Sequence, residues 1–530
     1  MPISLSLQSI LVRLATASWA MLVLAGCGVV PQRMDTPVAV ATKPAIDSPL
    51  VKMVQVSTPS PELTGFRLMP LAAYSLDARV ELIRRAQYSL DIQYYLIAND
   101  RTGRLLLRNV RDAANRGVRV RVLVDDLYTS GADSMFIGLS AFPNVEVRLF
   151  NPFCCGRESL LAKYTTSLFD FRRVNHRMHN KLFIADAAMV VAGGRNIADE
   201  YFTRSMSGNF VDMDAFIVGA VVPQLENIFD AYWNSAHAYP VGQIVATSRS
   251  REQLQNEFNA LVDEGDQMME VAMPPTDILG YGPITDDLEA GRLGLEWGKA
   301  TAFADSPDKV TAMTPEAARS MSVTMNVFDL VMAAKSEVVL SSPYFVPGTM
   351  GVQGFAALRQ RGVKVTVLTN SLASNDEPLV HTGYARYRPA LLRSGVDLYE
   401  LSPIRVLQNK RLDLAVPGAS LGRLHAKTAV IDQSMVFIGS MNLDPRSDST
   451  NTELGVIINS PEFAREVLRV IHISKLQSAY RLQFAADGQS LEWLTTDDTG
   501  EVILYSEPDT TLLLRLQNML LSAFVPEQEL

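Results

Sequence analysis

One pattern constrains the fold of this chain more than any other, because it occurs twice. In "HNKLFIADAAMVVAGGRN", His179, Lys181 and Asp186 are followed by Gly193, Gly194 and Asn196. In "HAKTAVIDQSMVFIGSMN", His425, Lys427 and Asp432 are followed by Gly439, Ser440 and Asn442 at the same spacing. A second landmark keeps nearly the same register. "RGVRVRVLVDD" begins at Arg116 and "RGVKVTVLTNS" at Arg361, 245 residues apart, against 246 between His179 and His425. Landmarks that share an offset identify an internal duplication rather than chance matches. Two copies are too few for a solenoid. The chain is therefore expected to form two like domains related by a pseudo-twofold axis.

Each copy alternates helix and strand. "DARVELIRRAQYSLDIQYYLI" and "TGRLLLRNVRDAANRGVRVRVLVDD" each read as a helix running into a strand, and the pattern restarts after residue 315. That alternation is the signature of an α/β sheet protein. With 530 residues, 48% hydrophobic and 20% charged, the chain can build two or three domains. The expected domains are 63–250 and 316–485, joined by a connecting segment, 251–315, and followed by a tail, 486–530. The tail reads as a small β element and an amphipathic helix.

The N-terminus reads as an address. Arg13 is followed by an apolar run, Leu14 to Gly26, too short to span a bilayer but suited to a signal peptide over residues 1–26. The run ends in "LAGC", which resembles a bacterial lipobox with Cys27 as the lipidated residue. Gly28 stands where inner-membrane retention signals carry aspartate. The expectation is a lipid-anchored envelope protein on the periplasmic face of the outer membrane. Residues 27–62, rich in Pro, Thr and Ser, read as a flexible tether. The net charge of −9, with no long basic run, disfavours nucleic acid as a partner. The adjacent Cys154 and Cys155 lack a Cys-x-x-Cys pattern and read as ordinary thiols.

The repeated motif carries the chemistry. Residues two apart on a strand share a face, and a turn near residue 187 returns Asn196 to His179 and Lys181. Each hairpin thus gathers an imidazole, an ammonium, an amide and glycine-lined backbone. Lysine suits phosphate, amide and backbone donors suit anionic oxygens, and histidine serves as nucleophile or proton carrier. No clustered carboxylates call for a metal, and no cofactor is implied. The set reads as a metal-free phosphoryl site. Asp186 and Asp432 complete the two motif triads but are expected to hold the turns rather than carry protons.

Both copies match the His-x-Lys-x4-Asp motif of the phospholipase D superfamily, which the chain resembles over roughly residues 63–530. "GGRNIADEYF", "FDAYWNS", "LEWG", "SPYFVPG", "TNSLASNDEPLVHTGYARYR" and "GSMNLDPRS" give a narrower resemblance to the bacterial cardiolipin synthase C type. The resemblance implies two αβα domains face to face with one active site between them. It also implies a phosphohistidine on one histidine, with the other as acid and base; His179 is taken as the nucleophile because the superfamily usually uses the N-terminal copy. A downstream carboxylate orients each ring: Glu453 in "NTELGVII" and, in the first half, Asp212 in "FVDMDAFIVG", with Asp214 as the alternative. Lys181, Lys427, Asn196, Asn442 and Ser440 would hold phosphate oxygens, and Ser440, standing where the first half has Gly194, is a difference that would help bias the roles of the halves. The implied activity moves a phosphatidyl group onto phosphatidylglycerol to make cardiolipin, with phosphatidylethanolamine as a candidate second lipid and a membrane surface as partner. Phospholipase D hydrolysis to phosphatidic acid is the alternative; a nuclease or a non-catalytic lipid-binding lipoprotein ranks lower. His176 and His381 are weighed as entrance and headgroup residues against surface and structural roles. His237 and His472 read as structural or surface residues. Tyr344 and Phe345 are weighed between a lipid-facing wall and the core.

Overall fold

The duplicated "RGV" explains how each half turns from helix to strand. Helix Arg101–Asn115 ends where Gly117 takes φ 100°, and helix Gly348–Gln360 ends where Gly362 takes φ 83°. Only glycine adopts that conformation without strain. Val118 N donates to Ala113 O and Val363 N to Leu358 O, closing both helix ends alike and aiming the chain into strands Arg119–Asp125 and Lys364–Asn370. The computed structural model describes residues 30–34, 36–264, 273–312, 314–319, 322–408, 421–497 and 500–522. Cys27 and the rest of the expected signal segment lie outside them.

The halves share one strand order. In the first sheet it runs Ala238–Pro240, Val145–Phe150, Arg119–Asp125, Ser89–Tyr94, Leu182–Ala185, Met189–Gly193, Asp214–Gly219 and Thr64–Met69. In the second it runs Ala479–Phe484, Asp397–Leu401, Lys364–Asn370, Glu337–Ser341, Thr428–Ile431, Met435–Gly439, Leu454–Asn459 and Glu296–Ala304. Three central strands are parallel, as helical crossovers require; the motif hairpin is antiparallel.

The halves join in three ways. Thr64–Phe66 pairs with Glu296–Gly298, linking the two sheet edges. Asn209–Val211 pairs with Gly422–Leu424 as a separate ribbon. One apolar core holds Leu123, Phe150 and Val190 from the first half with Leu368, Val430 and Ile438 from the second. The sheets thus pack face to face, and the motif hairpins meet near the seam.

Two expectations change. The residues read as a flexible tether are docked where they are described. Ala39 and Ala41 bond to Asn234 and Asp230, while Ser48 caps helix Pro49–Ser57, which buries Leu50 and Val51. The first strand then starts at Thr64. A nine-residue helix in a Pro- and Thr-rich stretch leaves little periodicity to read. Nor is 251–315 a bare connector. Helix Arg251–Asp263, with a Ser250–Gln253 capping box, buries Phe258 in the first domain's core, and strand Glu296–Ala304 belongs to the second sheet. In the tail, strands Leu491–Asp497 and Gly500–Leu504 extend that sheet before helix Leu512–Ser522.

Candidate active site

Each motif histidine hangs on the other half of the molecule. His179 and Lys181 lie just before strand Leu182–Ala185, not within it, and His179 N donates to Thr452 O at 2.9 Å. His425 N donates to Val211 O at 2.7 Å. Thr452 and Val211 each immediately precede a carboxylate, so these cross-domain bonds decide which carboxylate meets which ring. Glu453 Oε2 lies 3.0 Å from His179 Nδ1, and Asp212 Oδ2 lies 2.6 Å from His425 Nδ1. The sequence reading linked each carboxylate to its own half; the geometry crosses them. With Nδ1–H on the carboxylate, each ring keeps Nε2 for a substrate atom. Asp214, the alternative to Asp212, is committed elsewhere: it accepts from Ser75 Oγ and ion-pairs with buried Arg79.

Burial sets the charges. All four histidine and lysine side chains are buried. His179 is pushed down to about 4, by burial first, against the opposing pull of Glu453. His425 lies well below the ordinary histidine range, by burial and then by Lys427, Lys181 and His179. Lys181 is lowered well below the ordinary lysine range and Lys427 to about 8, both chiefly by burial. Burial disfavours charge on all four groups, and an anion between them would restore it. Each lysine donates to the carbonyl of its own motif histidine, Lys181 at 2.7 Å and Lys427 at 2.6 Å, beside the ring it serves.

Ser440, expected on a phosphate oxygen, turns instead to a carboxylate. Ser440 Oγ donates to Glu453 Oε2, and Ser447 Oγ donates to Glu453 Oε1 at 2.9 Å. Burial opposes the Glu453 charge, but His179, Lys181 and Ser440 together hold its carboxyl below the ordinary range. In the first half a Cβ on Gly194 would sit 2.2 Å from Asp212 Oδ1. Glycine there makes room for the shorter carboxylate, whose pKa burial raises. Asn196 and Asn442 are buried on the strand returns beside the two motifs, with Asn196 Nδ2 donating to Tyr201 Oη at 3.0 Å.

Asp186 and Asp432 sit at the far ends of the hairpins. Asp186 and Ala187 have φ 49° and 54°; Asp432 and Gln433 have 50° and 53°. These are the paired positive angles of a type I′ turn. Asp186 accepts from the backbone of Gln87, Tyr88 and Ser89 and from Ser48 Oγ. Asp432 accepts from Lys335, Ser336 and Glu337. Both tie the hairpin to the start of the neighbouring strand, which removes them from the set around the histidines.

The other candidates separate. His176 Nδ1 bonds to Arg172 O, and His237 Nε2 lies 3.1 Å from Asp308. His472 lies on helix Pro461–Ser478, burial lowering its pKa. His381 is fully buried against Arg388 Nη2 at 3.1 Å, a structural place. Phe345 is in the second domain's core, while Tyr344 Oη donates to Asp376 at 2.9 Å. Cys154 and Cys155 carry no disulfide, and burial pushes the Cys154 thiol up to about 12.

Several participants escaped the sequence reading. Tyr95 packs edge-on against His179 at 5.0 Å, whereas His425 packs against a touching pair of rings, Tyr201 at 5.0 Å and Phe210 at 4.9 Å. Asp305 Oδ2 accepts from Glu453 N, and Lys309 donates to both Asp305 and Ser447 O. Aromatic side chains in α/β sequence carry no signal of a site, and Asp305 and Lys309 fell in the presumed connector. Ser447 and Tyr201 had a cue, standing in the quoted "GSMNLDPRS" and "GGRNIADEYF".

A family model described as cardiolipin synthase, PLD-like domain, matches residues 80–233 and 327–472, one match per half. Cardiolipin synthase C of Escherichia coli (strain K12) is 36% identical over 469 residues, covering 86% of this chain and 94% of that protein. An uncharacterized protein of Helicobacter pylori (strain ATCC 700392 / 26695) is 32% identical over 459 residues, covering 85% of this chain and 86% of that protein. In fold, the chain is similar to the crystal structure of phosphatidylserine synthase from Haemophilus influenzae Rd KW20, with a TM-score of 0.53 at 13% identity, covering 91% of this chain and all of that one.

Proposed function

Since this chain belongs to the cardiolipin synthase family of phospholipase D-like enzymes, we propose that it transfers a phosphatidyl group from one phospholipid to the hydroxyl of phosphatidylglycerol, forming cardiolipin. The observation that carries this reading is the crossed pair, His179 with Glu453 and His425 with Asp212, buried together with Lys181 and Lys427. One histidine attacks phosphorus through Nε2, forming a P–N bond as the P–O bond to the headgroup alcohol breaks. The other histidine protonates that alcohol. It then takes the proton of the acceptor hydroxyl, which attacks phosphorus as the P–N bond breaks. The ester-bond energy is kept in the phosphohistidine, so the exchange needs no external energy source. Burial supports transfer over hydrolysis, because the acceptor must reach phosphorus ahead of water.

We assign the attack to His179, following the family resemblance. One observation favours the opposite assignment: His425 packs against two aromatic rings, Tyr201 and Phe210, where His179 has Tyr95, an apolar setting that suits the neutral, nucleophilic form. Lys181, Lys427, Asn196 and Asn442 are proposed to hold the phosphate oxygens. Lipidation at Cys27 and an envelope location, on the periplasmic face of the outer membrane, complete the proposal and rest on the sequence signal alone.

Purified protein given phosphatidylglycerol, with and without phosphatidylethanolamine, tests the activity. Cardiolipin as the main product is expected. Phosphatidic acid alone would replace transfer with hydrolysis.

A further inference from the structure

Two stretches quoted for the narrower resemblance, "SPYFVPG" and "GSMNLDPRS", meet in space. Phe345 bridges Leu443, Val346 N donates to Leu443 O at 2.7 Å, and Leu443 N donates to Ser342 Oγ at 3.1 Å. Between this junction and helix Val323–Met332 lies a cavity of about 490 Å³. Val327, Val331, Leu340, Phe345, Phe355 and Leu443 form its apolar walls. Packed interiors leave few voids larger than a water molecule. A concave apolar space of this size with few polar groups has the form of a ligand site.

The cavity adjoins the candidate active site along the chain. Asn442, Leu443 and Asp444 follow one another along the chain. Asn442 belongs to the repeated motif, whereas Leu443 and Asp444 line the cavity. Asp444 is buried, its carboxyl is pushed up to about 6 by burial and by Glu453, and Lys427 feels its charge in turn. That end of the cavity therefore lies within electrostatic reach of Lys427 and Glu453, while the valine and phenylalanine walls offer no donors to a headgroup. A molecule spanning both regions must join an anionic diester to an alkyl chain. Glycerophospholipids have that construction.

We propose that this cavity holds one acyl chain of the phospholipid whose phosphate lies among the paired histidines and lysines, so that chain length helps select the substrate. The proposal deepens the phosphatidyl-transfer reading and rests on it. Filling the cavity penalises long chains and spares short ones.

Val327→Phe and Val331→Phe fill the cavity from the helix wall, where both valines are buried. Met350→Trp narrows it from its more exposed side without touching the core. The full chain and each variant are compared in detergent micelles on dihexanoyl and dipalmitoyl phosphatidylglycerol. Burying one methylene is worth about a factor of four in affinity. The expected result is a fall of about tenfold or more in kcat/KM for the dipalmitoyl lipid, mostly in KM, with dihexanoyl turnover within about twofold of the parent. Equal losses on both lipids, or no loss on either, would overturn the proposal. If the unmodified chain transfers neither lipid, the transfer reading fails and the cavity is tested by binding alone. Fluorescent parinaric acid should then bind the parent, be displaced by palmitate, and fail to bind Val327→Phe; equal binding by parent and variant would overturn the cavity assignment.

Discussion

The two halves share a backbone and differ in how they hold a carboxylate. In the first, Asp212 lies tight against Gly194 and reaches His425 beside the Tyr201 and Phe210 rings. In the second, the longer Glu453 takes hydroxyl donors from Ser440 and Ser447 and reaches His179 beside Tyr95. Duplication alone would yield two equivalent histidines. Acid–base catalysis at one phosphorus needs one imidazole neutral and the other protonated, hence unlike environments. Glycine against serine, aspartate against glutamate, and two aromatic neighbours against one supply the asymmetry.

The largest effects should follow loss of either histidine, because both halves serve one reaction. His179→Ala is expected to lower turnover of labelled phospholipid by about 10⁴ or more. His425→Ala should cost about 10²–10⁴. Retention of half the activity in either variant would mean two independent sites.

The carboxylate mountings should respond unequally. Gly194→Ala drives a Cβ into Asp212 and should lower kcat by about 10²-fold, since a displacement near 1 Å has that effect on a positioned group. Ser440→Ala leaves Glu453 the Ser447 hydroxyl and should cost only about three- to tenfold, on the scale of one lost hydrogen bond. Kinetics that reverse this order would remove the significance of the motif difference.

The turn aspartates should affect stability, not chemistry. Asp186→Ala, at a buried position, is expected to destabilise by about 2–4 kcal/mol. Asp432→Ala, at a position less enclosed, should cost about 1–2 kcal/mol. Urea unfolding reads both, and kcat of the remaining folded protein should stay near the parent's.

Acid should act on the same asymmetry. His179 titrates near 4 when folded and near 6.5 when unfolded, so the unfolded chain binds the extra proton between those values. Its contribution is complete above pH 6.5 and declines as pH falls toward 4. At pH 5 the loss is about 2 kcal/mol relative to pH 7. Unfolding curves at the two pH values should show at least this loss in the parent, and His179→Asn should reduce it by about that amount, leaving the part due to His425.

The sequence made the duplication legible because its landmarks are local: a glycine that ends a helix, an aspartate at a type I′ turn, a histidine and lysine two apart. From these the α/β class and the strand-return hairpins could be read, while Asp212 and Glu453 came from the family resemblance. The crossing of carboxylates could not. It depends on Thr452 and Val211 accepting bonds from the other half, and nothing in a linear spacing marks such a bond. Tyr95, Phe210 and Asp305 were hidden likewise, being brought in by packing over long sequence separations. The docked segment before residue 63 was missed because its helix is too short for periodicity to show.

The crossing can be tested by pairing phenotypes. Each of four variants, His179→Ala, His425→Ala, Asp212→Asn and Glu453→Gln, is quenched during turnover of a phospholipid labelled in its acyl chains, and protein-bound label is mapped to a residue. The expected result is that Asp212→Asn behaves as His425→Ala, both accumulating the adduct on His179, while Glu453→Gln behaves as His179→Ala and accumulates none. An adduct on His425 with the same pairing would exchange the two roles and leave the crossed site intact. Asp212→Asn behaving as His179→Ala, and Glu453→Gln as His425→Ala, would contradict the crossed site itself.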